Sequence, residues 1–125
     1  MSLKDRVIVI TGATGGLGKV VAATFAQAGA SLALLSSDMT KLSELAQSLA
    51  TPPAQISTHA VNLTDADATR AAAEAVMVRH QRVDALLHLV GGWSGGTPLA
   101  EVASAEVASM LGQHVWTTFH LIQAF

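Results

Sequence analysis

Thr11-Gly12-Ala13-Thr14-Gly15-Gly16-Leu17-Gly18-Lys19 has the most chemistry to offer in this chain, with four glycines between positions 12 and 18. It directly follows the apolar run Val7-Ile8-Val9-Ile10 and leads into an amphipathic segment from Leu17, so strand, turn and helix start are written in succession. Glycines let the backbone turn sharply and leave no Cβ to hold a ligand away. The helix start behind them offers unpaired N–H groups and the positive end of a dipole, which suits an anion. A dinucleotide pyrophosphate is the leading candidate for that anion. A phosphate-binding loop of the Gly-x4-Gly-Lys-Ser/Thr type is excluded, because Ala13 stands five residues before Gly18 and Val20 follows Lys19. A Gly-x-Gly-x-x-Gly fingerprint begun at Gly16 also fails, at Val21.

The spacing that fits is Thr-Gly-x-x-x-Gly-x-Gly, on Thr11, Gly12, Gly16 and Gly18. On these residues the chain resembles the short-chain dehydrogenase/reductase family. The resemblance implies an NAD(P)-dependent oxidoreductase that moves a hydride between a nicotinamide cofactor and a carbonyl or alcohol substrate. It places the cofactor along Gly12, Thr14, Gly15, Gly16, Leu17 and Gly18, and then along Ser36 and Ser37 at the end of the second strand. Ser36 stands where an NAD-preferring member carries an acid, and Ser37 where an NADP-preferring member often carries Arg. Two hydroxyls accept a 2′-phosphate without repulsion, which tilts the reading from NAD towards NADP. Asp38, one residue on, argues the other way unless it caps the following helix.

Asn62-Leu63 falls where the family has Asp and an aliphatic residue against adenine, and the Asn oxygen can accept from the adenine amino group. The same Asn can simply end a strand and open a turn. His88-Leu89-Val90-Gly91 replaces the family's Asn-Asn-Ala-Gly, with Gly91 and Gly92 left as the backbone approach to the nicotinamide-side ribose. His88 lies in an apolar strand and reads as a core imidazole bonded to backbone. His114 takes the place of a family Asn that supports proton relay; it reads equally as a relay or as a satisfied core group. The family's catalytic Tyr and Lys lie beyond the fourth helix, and this chain of 125 residues contains no Tyr. The expectation is a cofactor-binding part, cut before the catalytic region and inactive alone. The alternative is a non-catalytic dinucleotide-binding protein that senses or assembles.

The elements that must position these residues alternate. Leu17, Val20, Val21, Thr24, Phe25 and Ala28 mark one face of a first helix closed by Gly29. Leu32–Leu35 is the second strand, Asp38 caps a helix through Leu49, and Thr51-Pro52-Pro53 stops it. Ile56–Val61 is a more polar third strand suited to an edge, and Thr64-Asp65-Ala66-Asp67 opens a third helix with a capping-box-like pattern. Val83–Val90 is the fourth strand, and Ser104 caps a last helix to Phe125 that buries Val107, Leu111, His114, Thr118, Leu121 and Phe125 on one face. Trp93 is the one candidate wall for a substrate, or else a cover for the core.

Such alternation predicts an α/β fold: one domain over residues 1–125 with a doubly wound parallel sheet of the Rossmann type. Its four strands run in the order 3-2-1-4 with helices on both faces, a sheet incomplete relative to the family's. Half the residues are hydrophobic and 13% charged, as a sheet buried on both faces requires. The net charge of −2 carries no basic patch for nucleic acid, and no uninterrupted apolar run suits a membrane span. With no Cys, neither disulfides nor thiolate metal sites form, and a cytoplasmic location fits. The histidines lack metal-ligand spacing, so no metal is expected. A fourth strand left unpaired at the sheet's end predicts a homo-oligomer through that strand or the last helix.

Overall fold

The computed structural model describes residues 1–125. Strands β1 (Val7–Thr11), β2 (Ser31–Ser36), β3 (Ile56–Ala60) and β4 (Ala85–His88) form one sheet in the order β3-β2-β1-β4. All pairings are parallel, with Val9 opposite Ala33 and Leu86. Helices α1 (Gly16–Gln27), α2 (Met39–Ser48), α3 (Ala66–His80), α4 (Ser104–Leu111) and α5 (Thr117–Ala124) supply the crossovers and the flank beyond β4. A five-residue π turn, Gly112–Trp116, joins α4 to α5. No helix is long and apolar enough to cross a membrane.

Strand alternation divides the core in two. Ile8, Ile10, Leu32 and Leu34 pack with Ala22 and Ala26 of α1 and Leu42 and Leu45 of α2. Val9, Ala33 and Leu35 pack on the opposite face with Ala72 and Val76 of α3 and Leu121 of α5. Each such aliphatic side chain contributes about 1.5–3 kcal/mol when fully buried. β1 and β2, flanked on both sides, are therefore apolar throughout, while the edge strand β3 affords polar residues.

Several local expectations are corrected. Leu17 and Val20 of α1 are 64% and 63% exposed, and Gly18, Ala22 and Ala26 meet the sheet instead. Close approach of the helix to the strands selects small residues over large apolar ones. Asp65, not Thr64, caps α3 by accepting from the Ala68 amide, and Ser104 is the first residue of α4 without a capping bond. β3 and β4 are each shorter than expected, ending at Ala60 and His88. Asp38 does cap α2, accepting from the Lys41 amide at 3.1 Å, and Gly29 follows α1 at φ 89°.

Asp84 fixes where β4 begins. Its carboxylate accepts from the Val7 amide at 2.9 Å and from Arg6 at 3.0 Å, while its own amide donates to the Val7 carbonyl at 2.9 Å. The Arg82 guanidinium bonded to it, followed by the Val7 amide, lowers its pKa to about 2.

Candidate dinucleotide site

A cleft of about 430 Å³ opens at the carboxyl ends of the strands. Gly12 and Gly15 line it from the turn after β1, and Leu35, Ser36 and Ser37 from the end of β2. Val61 to Thr64 follow β3, Leu89 to Gly92 follow β4, and Gln113 and Thr117 close the helical side.

The turn is built by two demanding glycines. Gly12 has φ 64°, and a Cβ there would lie 2.9 Å from the Leu89 carbonyl. A Cβ on Gly18 would sit 2.2 Å from the Gly12 carbonyl oxygen, so α1 rests directly on the turn. Gly16 is different, with nothing within 4 Å of its Cβ position. At the start of α1 the amides of Gly16, Leu17 and Gly18 have no backbone acceptor. Gly15 at the cap has no side chain to offer, and the first turn contains no acid. Three donors and an uncompensated dipole thus stand beside the cleft, an arrangement fit for linked phosphates.

At the far end, Thr14 and Ser36 share a hydrogen bond of 2.7 Å, and Ser37 is exposed. Asp38 spends one carboxylate oxygen on its helix cap, and the Asp38 amide donates to Ser36 at 3.4 Å. The Asn62 side-chain oxygen already accepts from both the Thr64 amide (3.1 Å) and the Thr64 hydroxyl (2.7 Å). The expectation that this oxygen serves adenine is therefore corrected, and the amide nitrogen is the group left to face a ligand.

His88 does not bond to backbone. Its Nδ1 lies 2.7 Å from the Thr11 hydroxyl and its Nε2 3.1 Å from the Thr117 hydroxyl. Burial first, and the charge of His114 second, lower its pKa. This imidazole replaces the polar bracing that the Asn-to-His and Asn-to-Leu departures remove.

His114 is exposed, with Nε2 2.8 Å from the Gly92 carbonyl oxygen. Its ring occupies the space a Cβ on Gly91 would need, 2.5 Å away. The expected buried face of the last helix is accordingly revised. Val107, Leu111 and Phe125 are exposed, and Thr117 and Leu121 are buried, because the π turn rotates everything after it. Gln113 and Thr117 reach the cleft for the same reason. The sequence reading missed them, with Leu35, Val61, Thr64, Leu89 and Val90. Their one available signal was adjacency to residues already singled out. Thr14, Gly16, Leu17 and Gly18 sit on the turn without lining the cleft, and Leu17 points to solvent.

Trp93 is 85% exposed and folded over Gly95, so it covers no core. No three His, Asp or Glu groups converge on a point that would hold a metal. His59 and His80 instead share the Ser57 hydroxyl, each at 2.8 Å.

The family model for short chain dehydrogenases matches residues 6–125. Dehydrogenase/reductase SDR family member 7B of Danio rerio is 34% identical over 96 residues, covering 72% of this chain and 31% of that protein. A metagenomic short-chain oxidoreductase solved in complex with NADP is 29% identical with a TM-score of 0.89, and the match covers all of this chain and 57% of that one. A short-chain dehydrogenase/reductase from Brucella melitensis is 28% identical with a TM-score of 0.88, over 99% of this chain and 52% of that one. The chain belongs to the short-chain dehydrogenase family. It spans between about a third and a half of the length of the first curated relatives it matches.

Proposed function

We propose that these 125 residues are the dinucleotide-binding part of a short-chain oxidoreductase acting on a carbonyl or alcohol, with NADP preferred over NAD. The observation that carries this is the row of unpaired amides at Gly16, Leu17 and Gly18, uncapped and acid-free beside a cleft of dinucleotide-binding topology. In this reading the turn from Gly12 to Gly18 holds the pyrophosphate, and Thr14, Ser36 and Ser37 hold the adenosine ribose. The amide of Asn62 and the side of Leu63 face adenine. Gly91 and Gly92 lie along the nicotinamide ribose. Bound there, the nicotinamide supplies or accepts the hydride; the chain orients it and excludes water. His114, with one ring nitrogen on the Gly92 carbonyl, is the residue placed to pass a proton near that end. The Tyr and Lys of the family's chemistry are assigned outside these residues, so the chain by itself binds without turnover. A cytoplasmic setting belongs to the same proposal.

The cofactor preference rests on charge. Ser36 and Ser37 bring hydroxyls to the ribose, and Asp38 is committed to its helix cap. In a thermal-shift titration, NADP at about 100 times its dissociation constant adds about 2.7 kcal/mol of stability. That raises the melting temperature by on the order of 10 °C. NAD at the same concentration is expected to do less. Stabilisation by NAD alone would contradict the preference, and stabilisation by neither would remove the cofactor site.

We also propose self-association through the last helices. Leu111, Val115, Trp116, Phe119 and Ile122 are exposed by 46% to 72%. β4 pairs on one side only. Light scattering coupled to size exclusion should give twice the monomer mass; a monomer at high concentration would refute this.

A further inference from the structure

The π turn, the buried imidazole and the first strand form one directed chain of hydrogen bonds. The Thr117 amide reaches back five residues to the Gly112 carbonyl, which leaves the Gln113 carbonyl without the amide an α-helix would give it. The Thr117 hydroxyl takes that carbonyl, donating at 2.6 Å. With its hydrogen spent, Thr117 Oγ1 can only accept from His88, so Nε2 of His88 must carry the proton. His88 Nδ1 is then bare and accepts from the Thr11 hydroxyl. Thr11 Oγ1 in turn accepts from the Leu89 amide at 3.1 Å. Every hydrogen in the chain has one place to go. Its two ends are cleft walls: Thr117 with Gln113 on one side, and Leu89 beside the glycine turn on the other.

We infer that His88 is a positioning residue whose neutral, Nε2-protonated ring clamps the two walls of the nicotinamide end together, and that a second proton releases the clamp. This rests on the reading of the cleft as a dinucleotide site. A proton on Nδ1 turns that nitrogen from acceptor to donor against Thr11 Oγ1, which already accepts from Leu89. The displaced Thr11 hydrogen is then left without its acceptor. The groups facing the ring from β1 and α5 are the uncharged hydroxyls of Thr11 and Thr117. From the π turn the ionisable group is His114, whose positive charge opposes a charge on His88. Dinucleotide affinity should therefore fall on acidification for a reason separate from the ligand's own titration.

The test has two arms. Long-range nitrogen–proton NMR on the ligand-free chain at pH 7.5, with His88 assigned by its loss in His88→Gln, should show the Nε2–H tautomer. An Nδ1–H tautomer or an imidazolium would overturn the inference without any ligand present. Calorimetry with NADP at pH 7.5 and 5.5 should then show at least a tenfold greater loss of affinity for the wild type than for His88→Gln, which has no ring to protonate. The titration of the 2′-phosphate and of His114 is common to both proteins and cancels in that comparison. Equal losses would overturn the clamp while leaving the cofactor site intact. Absence of binding at pH 7.5 would instead overturn the cofactor site itself, and the clamp with it.

Discussion

Gly18→Ala is expected to destabilise the fold by about 3 kcal/mol, the upper end of the cost of overpacking. The added methyl would lie 2.2 Å from the Gly12 carbonyl oxygen, 2.7 Å from the Ala13 carbonyl oxygen and 2.8 Å from the Ala13 carbonyl carbon. All three are backbone atoms and cannot swing aside as a side chain can. Relief requires α1 to lift off the turn, which also carries its free amides away from the cleft. Gly16→Ala provides the contrast. Its Cβ meets nothing within 4 Å, and Ala favours a helix over Gly, so apo stability should hold or rise by up to about 1 kcal/mol. If the pyrophosphate lies on this turn, Gly16→Ala nonetheless weakens NADP binding at least tenfold, because the methyl enters the phosphate's approach. Chemical denaturation and calorimetry on the two variants separate these effects. Unchanged affinity in a stable Gly16→Ala protein would place the phosphates elsewhere.

Thr117→Val should cost about 2–3 kcal/mol although it keeps the side chain's shape. Thr117 is 2% exposed, and its hydroxyl serves two buried partners, the Gln113 carbonyl as acceptor and His88 Nε2 as donor. Removing one hydroxyl leaves both without a partner, and each orphaned buried group costs about 1–3 kcal/mol. The π turn gives the Gln113 carbonyl no substitute in the Thr117 amide, which is committed to Gly112. Thr118→Val is the matched control. Its hydroxyl bonds the His114 carbonyl at 2.7 Å from an exposed position, where water can replace it, so its cost should stay under about 0.5 kcal/mol. Equal costs in urea denaturation would show that the buried chain adds nothing to the fold.

The parts of this architecture governed by local pattern were legible in the residues. Val7–Ile10 followed by the glycine turn announced β1, α1 and the anion site between them. The regular alternation of apolar runs and helical stretches implied the parallel order that the structure has. Errors arose where the cause is not local. Leu17 and Val20 were assigned to the core by size, yet the separation of α1 from the sheet is set by Gly18 against Gly12, which excludes bulk there. The last helix was read with an unbroken period, and one π turn shifted the buried face from Val107, Leu111 and His114 to Thr117 and Leu121. Gly112 has ordinary helical angles and open space around it, so the residue itself carried no warning. His88 finds its partners 77 and 29 residues away, a separation that no spacing rule reveals.

The central claim is that the amides from Gly12 to Gly18 hold the linked phosphates of a dinucleotide. Titrating NADP into the isotope-labelled chain and following backbone amide resonances tests it most directly. Saturable shifts should be largest at Gly15, Gly16, Leu17 and Gly18, with smaller ones at Ser36, Ser37, Asn62, Gly91 and Gly92. Silence at the glycine turn, or saturable shifts confined to regions outside the cleft, would contradict the account.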